Sequence, residues 1–202
     1  NAGEGAFYGP KIDIKLKDAL KRKWQCATIQ CDFALPKRFN LAYVDSEGRE
    51  KQPIMLHRVI LGSLERFMGA LLEHYKGSLP LWLAPQQVLV VPISPVRNTK
   101  ALGKENKISN GVKDSVREYG IKVKTALEEN SIRAALDSRN ETLDKRIRQA
   151  ELNKIPYCLV VGEREAKQET VSIRKRGAGD KGVKPIEEFI KQIRQEIDNK
   201  VT

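Results

Sequence analysis

The chain has 202 residues, 40% of them apolar, and a formal net charge of +11. The apolar share excludes a disordered chain. No apolar run comes near the roughly 18 residues of a membrane-spanning helix, and three cysteines (Cys26, Cys31, Cys158) are too few for a disulfide framework, which suits a reducing, cytoplasmic setting. The charge favours a polyanionic partner, nucleic acid first. It is spread as 13 basic against 9 acidic residues up to residue 87, and 24 against 17 beyond. Asn1-Ala2-Gly3-Glu4-Gly5 has neither an initiator Met nor the basic and apolar regions of a signal peptide, so a chain that opens inside something larger is expected.

Lys11-Ile12-Asp13-Ile14-Lys15-Leu16 alternates strictly and predicts a strand with one wet face. A basic turn over 17–23 follows, and Trp24 to Phe33 alternates again, so a hairpin is the simplest topology. Alternation puts Trp24, Cys26, Thr28 and Gln30 on one face and Gln25, Ala27, Ile29 and Cys31 on the other. Cys26 and Cys31 are thereby rejected as a metal pair. Leu41 to Val44 predicts a third, short strand, with a turn at Asp45-Ser46-Glu47-Gly48.

Residues 53–56 then lead into a helix expected over 57–75. Its apolar positions 60/61, 64, 67/68, 71/72 and 75 follow the 3.6-residue period. Gly62 and Gly69 interrupt it, each at a cost of roughly 1 kcal/mol against alanine. Gly62, Ser63 and Arg66 fall close together, where a ligand or another backbone has room to approach. The first part of the chain thus reads as an antiparallel sheet with a helix against it.

Pro80 to Pro85 is stiff and apolar and marks a boundary, giving domains 1–84 and 85–202. Val88 to Ile93 is a continuous β-branched run of the buried, parallel type. After it come a helix over 115–129, a strand over 132–136, a helix over 142–152, strands over 157–162 and 170–174, and a closing helix over 185–197 with proline in its first turn. This order predicts a small α/β domain with a largely parallel sheet. Residues 97–113 carry five basic residues, one acid and little apolar period, and are expected to form an exposed, inserted loop. No Gly-rich phosphate loop is present anywhere.

Gly5-Ala6-Phe7-Tyr8-Gly9-Pro10-Lys11-Ile12-Asp13, Gln25-Cys26-Ala27-Thr28-Ile29-Gln30 and His57-Arg58-Val59-Ile60-Leu61-Gly62-Ser63-Leu64-Glu65-Arg66, in this order and spacing, closely resemble the threonyl-tRNA synthetase family. The tail is similar to that family's anticodon-binding domain through Arg139-Asn140-Glu141, Lys145-Arg146-Ile147-Arg148, Lys154-Ile155-Pro156-Tyr157 and Val160-Val161-Gly162-Glu163. The likeness covers nearly the whole chain except about residues 95–115.

The resemblance implies half of a class II synthetase antiparallel-sheet catalytic domain followed by a small α/β anticodon-binding domain. It implies ligation of L-threonine to threonine tRNA: ATP and threonine give threonyl-adenylate, and the threonyl group then passes to the terminal ribose of the tRNA. By resemblance, Arg66 and Lys11 are the catalytic residues. Gln25, Thr28, Gly62, Ser63 and Arg66 bind ATP; Tyr8, Lys11 and Gln30 bind threonine. His57 is one of three zinc ligands, and Mg2+ accompanies ATP. Asn140, Arg148, Glu165 and Arg174 read the anticodon.

In the family, two further zinc ligands, an ATP-binding arginine and the motif that builds a homodimer lie upstream of Asn1. The chain alone is therefore expected neither to activate threonine nor to hold zinc tightly. The family's editing domain is also lacking, so serine is not expected to be well rejected. The competing reading is a non-catalytic, synthetase-like RNA-binding module.

Overall fold

A computed structural model describes residues 5–18, 20–93, 110–139 and 141–201, without the side chains of 110–114. Asn140 and residues 97–109 of the expected loop lie outside the described residues. The chain divides into two compact units, Asn1–Gly77 and Ser78–Thr202. The division falls before the expected 84/85 boundary because 78–84 packs with the second unit. Leu81 and Ala84 are buried there, and their carbonyls accept from Gln87 Nε2 (2.9 Å) and Arg133 Nε (2.9 Å). Arg176 Nη2 donates to the Leu79 carbonyl at 3.0 Å. Among the described residues no helix is long and apolar enough to cross a membrane.

In the first unit β1 (Lys11–Lys17) pairs antiparallel with β2 (Lys23–Asp32), as alternation and the basic turn require. A short helix α1 (Ala34–Arg38) follows. The segment expected as the third strand, β3 (Tyr43–Val44), does not join this sheet; it pairs with β4 (Glu50–Lys51) as a separate two-stranded ribbon. The third strand is β5 (Met55–Val59), antiparallel to β2 in the order β1-β2-β5. His57 therefore sits on a strand and not at a helix start.

Helix α2 begins only at Leu64 and runs to His74. The chain cannot continue from strand to helix without a reversal, and Gly62 supplies it with φ +68°. Ser63 then caps the helix, its Oγ accepting from the Arg66 amide at 3.4 Å and donating to Glu65 Oε2 at 2.7 Å. A Cβ on Gly62 would lie 3.0 Å from the Cys26 carbonyl oxygen and 3.2 Å from that of Gln25. The close approach the glycine permits is to β2, its own neighbour in the sheet.

The second unit is a five-stranded sheet in the order β10-β9-β8-β6-β7. Its elements in chain order are β6 (Val88–Pro92), α3 (Asn110–Glu129), β7 (Ala134–Leu136), α4 (Leu143–Leu152), β8 (Tyr157–Val161), α5 (Glu163–Gln168), β9 (Thr170–Lys175), β10 (Gly179–Pro185) and α6 (Ile186–Asp198). β6 is parallel to both β7 and β8, whereas β8–β9 and β9–β10 are antiparallel, so the sheet is mixed rather than largely parallel. The short α5 and the polar, glycine-containing β10 carry too little apolar pattern to be seen in sequence.

β6 and β8 are apolar throughout because both faces of the sheet are covered. Val88, Val90, Leu159 and Val161 pack with Tyr119, Val123 and Leu127 of α3 and Phe189, Ile190 and Ile193 of α6. Leu89, Val91, Cys158 and Val160 pack with Ala150 of α4 and Ile155. Burial pushes the Cys158 thiol up to about 11, so it behaves as an apolar core residue.

The two glycines of the 57–75 stretch differ in sign. Gly62→Ala meets a backbone carbonyl at positive φ and is expected to destabilise the chain by about 1–2 kcal/mol. Gly69→Ala finds nothing within 4 Å of its new Cβ and should stabilise α2 by up to about 1 kcal/mol. Chemical denaturation of the two variants against wild type measures both.

Candidate active-site cleft and nucleic-acid interface

Residues directly opposite in an antiparallel sheet share a face. The register therefore lays two rows across the first sheet: Lys11–Gln30–His57 and Asp13–Thr28–Val59. Gln25 joins them through an irregularity that alternation could not foresee. Ile14 pairs with Ala27 but Lys15 with Gln25, so Cys26 is an extra residue on β2. Such a bulge turns the preceding side chain onto the other face. Gln25 Nε2 consequently donates to Thr28 Oγ1 and to Asp13 Oδ1, each at 2.9 Å.

Gln25, Thr28, Gln30, His57 and Val59 of this face line, with Cys26, Gly62 and Arg66, a cleft of about 280 Å³, whereas Lys11 and Asp13 stand beside it in the same rows and do not line it. Thr28 is buried, and its hydroxyl donates to Asp13 Oδ1 at 2.9 Å. Lys11 Nζ lies 2.9 Å from Asp13 Oδ2 and is the main cause that holds the Asp13 carboxyl below its usual range. An ionised carboxylate only accepts. The Gln25 amide nitrogen is thus turned to Asp13, which leaves its carbonyl oxygen as the polar atom available to a ligand.

Arg66 reaches the cleft from the first turn of α2. The carboxylates nearest in sequence are engaged elsewhere: Glu65 with Ser63 and Glu73 with Arg22 at 3.3 Å. Among the described residues the Arg66 guanidinium forms no ion pair. A permanently charged, planar fork beside a polar cleft suits the oxygens of a phosphate or carboxylate. Tyr8 and Ser63 do not line the cleft. Tyr8 precedes β1 with its ring against Phe7, and Ser63 is the helix cap.

His57 is 40% exposed, with Nε2 3.3 Å from Oδ2 of Asp32, a carboxylate 8% exposed. Oδ1 of Asp32 accepts the amides of Ala34 (2.8 Å) and Leu35 (3.0 Å) at the start of α1. The Leu35 amide is the largest cause lowering the Asp32 pKa. Among the described residues no group of three His, Cys, Asp or Glu is placed to hold a metal. His57 therefore fits the part of one ligand, and any others come from outside the described residues. Asp13 and Asp32 were missed in sequence, although both follow a site residue by two on a strand (Lys11 and Gln30) and so share its face.

In the second unit Arg174 lines a shallow recess with Ile147, Glu151, Cys158 and Arg176. Arg148 lies exposed on α4. Glu165 caps α5, its Oε2 accepting the Gly162 amide at 2.8 Å. A buried pair supports the loop after β7. Arg146 donates to the carbonyls of Pro92 (2.8 Å) and Asp137, and its Nε lies 3.2 Å from Asp137 Oδ2. Asp137 also accepts Arg139 Nη2 at 2.8 Å.

A polar cleft on an antiparallel sheet, in a chain that continues into a helix-covered α/β unit, is an arrangement shared with tRNA synthetases. Residues 1–75 match the class II core domain of the G, H, P, S and T tRNA synthetases, and residues 87–196 match the anticodon binding domain. The chain belongs to the anticodon binding domain family. Relatives include the threonine–tRNA ligases of Maridesulfovibrio salexigens, 50% identical over 98% of this chain, and Carboxydothermus hydrogenoformans, 46% identical over 99%. The chain spans 28% of the length of each. The crystal structure of the RNA binding domain of threonyl-tRNA synthetase from Cryptosporidium parvum Iowa II has a TM-score of 0.75 at 38% identity, covering 96% of this chain and 44% of that one.

The hydrogen bond from Arg139, ahead of the opposing cost of burial, draws the Asp137 carboxyl down to about 2. Its contribution to stability is complete above the unfolded carboxylate range near pH 4 and is lost as pH falls toward 2. Denaturation midpoints between pH 5 and 2.5 should fall less steeply in Asp137→Asn than in wild type.

Proposed function

We propose that this chain is part of a threonine–tRNA ligase and that the cleft of the first unit is the portion of its active site where ATP and threonine meet. The observation that carries this reading is the convergence of Gln25, Thr28, Gln30, His57 and Arg66 on one cleft, in a segment that matches a class II core.

Gln25 and Thr28 bind the nucleoside through the Gln25 carbonyl oxygen and the walls of the cleft. Arg66 holds the phosphates, with Gly62 and the Ser63 cap setting the position of its helix. Gln30 and Lys11, in one cross-strand row with His57, orient threonine, and Tyr8 borders that row. The threonine carboxylate attacks the α-phosphorus, pyrophosphate leaves, and charge gathers on the phosphoryl oxygens that Arg66 faces. A ribose hydroxyl of the tRNA then attacks the adenylate carbonyl and AMP leaves. With the His57 imidazole given to the metal, no other side chain lining the cleft among the described residues is a general base, so rate enhancement rests on positioning and charge stabilisation.

His57 would be one ligand of a zinc ion, which would act as a Lewis acid toward the amino and hydroxyl groups of threonine. Valine has no hydroxyl to offer and is rejected. Mg2+ bound with ATP would share with Arg66 the neutralisation of phosphate charge. The second unit takes the anticodon through Asn140, Arg148, Glu165 and Arg174, by hydrogen bonds to exposed base edges. The rest of the site, and a homodimer, belong to the longer protein.

With the full-length, zinc-loaded protein, ATP–pyrophosphate exchange should depend on threonine. Arg66→Ala should lower it by about 100- to 1,000-fold, and His57→Ala should release the zinc. The 202-residue chain by itself should give no exchange. If the full-length protein gives none either while still binding RNA, the non-catalytic module is the correct reading.

In the full-length protein Arg174→Ala should weaken binding of a threonine anticodon stem-loop by about 1–3 kcal/mol and reduce the preference over an unrelated anticodon. A filter-binding or anisotropy titration at fixed salt reads both quantities.

A further inference from the structure

His57 and Asp32 are diagonal neighbours on the cleft face, because His57 pairs with Gln30 and Met55 with Asp32. The Asp32 side chain has two contacts of different kinds. One oxygen accepts two amides at the start of α1; the other lies 3.3 Å from His57 Nε2. The amide contacts fix the carboxylate in space. An anionic carboxylate offers no proton, so the ring nitrogen facing it must carry the hydrogen. In a neutral imidazole the other nitrogen, Nδ1, then holds the free lone pair.

We propose that Asp32 is a positioning residue that sets the tautomer of His57: it accepts Nε2–H and thereby leaves Nδ1 as the metal-binding atom. The inference rests on the zinc reading above and deepens it. Asp32, its side chain 8% exposed, does not line the cleft and acts through His57. Helix α1, five residues long and without a side-chain cap of its own at Phe33, serves as the anchor for the carboxylate. A metal-bound histidine commonly passes its second N–H to such a carboxylate, and loss of that partner costs about 10- to 100-fold in metal affinity.

The informative substitution is Asp32→Asn. Its carbonyl oxygen still accepts the amides of α1, since asparagine is as good a cap as aspartate. Its NH2 group then faces His57 Nε2 and donates, which moves the ring proton to Nδ1. The 202-residue chain has only two histidines, His57 and His74, so long-range 1H–15N spectra at pH 8 resolve each tautomer. Wild type should show Nε2–H at His57 and Asp32→Asn should show Nδ1–H, with His74 unchanged. In the full-length protein Asp32→Asn should weaken zinc about 10- to 100-fold in chelator competition, with the metal-free melting midpoint kept.

Asp32→Ser, which caps α1 but does not reach the ring, should also weaken zinc while melting as wild type does. If Asp32→Asn keeps Nε2–H at His57, or binds zinc as tightly as wild type, the inference is overturned. It is equally overturned if both variants lose zinc only together with a lowered metal-free midpoint, which makes Asp32 a structural cap alone. A wild-type full-length protein that takes up no zinc sinks the zinc reading and the metal role of Asp32 with it. The tautomer exchange in the 202-residue chain is read independently of that result.

Discussion

The pairing register of β2 with its two neighbours is the constraint on which the rest of the first unit depends. It places Lys11 beside Gln30 and Gln30 beside His57, with Asp13, Thr28 and Val59 in the next row. A slip of one residue would send every one of these side chains to the opposite face. The register is held at one end by the Asp18–Arg22 hairpin turn, with Arg22 also bound to Glu73. At the other end it is held by Asp32, which ties the last residue of β2 to α1. The bulge at Cys26 adds the one departure from alternation that brings Gln25 to the same cleft.

Around that sheet the polar groups are arranged so that few degrees of freedom remain. Asp13 accepts from Lys11, Gln25 and Thr28; Asp32 accepts two amides with one oxygen and faces His57 Nε2 with the other. Both acids are acceptors only, so each dictates the orientation of the groups around it. Arg66, in contrast, is left without an ion pair among the described residues, at a helix start where the backbone dipole also favours an anion. Under the proposed function such an arrangement is preorganised, the condition for electrostatic stabilisation of a developing charge.

The second unit solves a different problem. Its central strands are apolar on both sides because helices cover both faces. Its charged residues therefore work at the ends and edges of the sheet. Arg146 and Asp137 are buried together where β7 ends. Arg176 and Arg133 bind the carbonyls of 78–84. A buried arginine that donates to two carbonyls and lies beside one carboxylate, as Arg146 does, fixes local geometry more than it adds net stability.

Local pattern was enough to read the β1–β2 hairpin, the strands β6 and β8, and the helices α3, α4 and α6, since each has an apolar period set by its own burial. It was enough, too, for the family resemblance and for Gln30, Thr28, His57 and Arg66 as candidates. It failed over 53–63. There the apolar spacing continues smoothly from β5 into α2, so a strand, a reversal and a helix look like one long helix. Only pairing with β2 shows that His57 is a strand residue. Only the positive φ of Gly62 against the Cys26 carbonyl shows that its glycine serves the sheet. The roles of Asp13 and Asp32 were likewise decided by tertiary structure, because a carboxylate's partners come from neighbouring strands and helices. The sequence by itself determined which family the chain resembles and which polar groups it carries. The fold decided which of those groups face one another, because register, bulge and turn are non-local choices that no single stretch encodes.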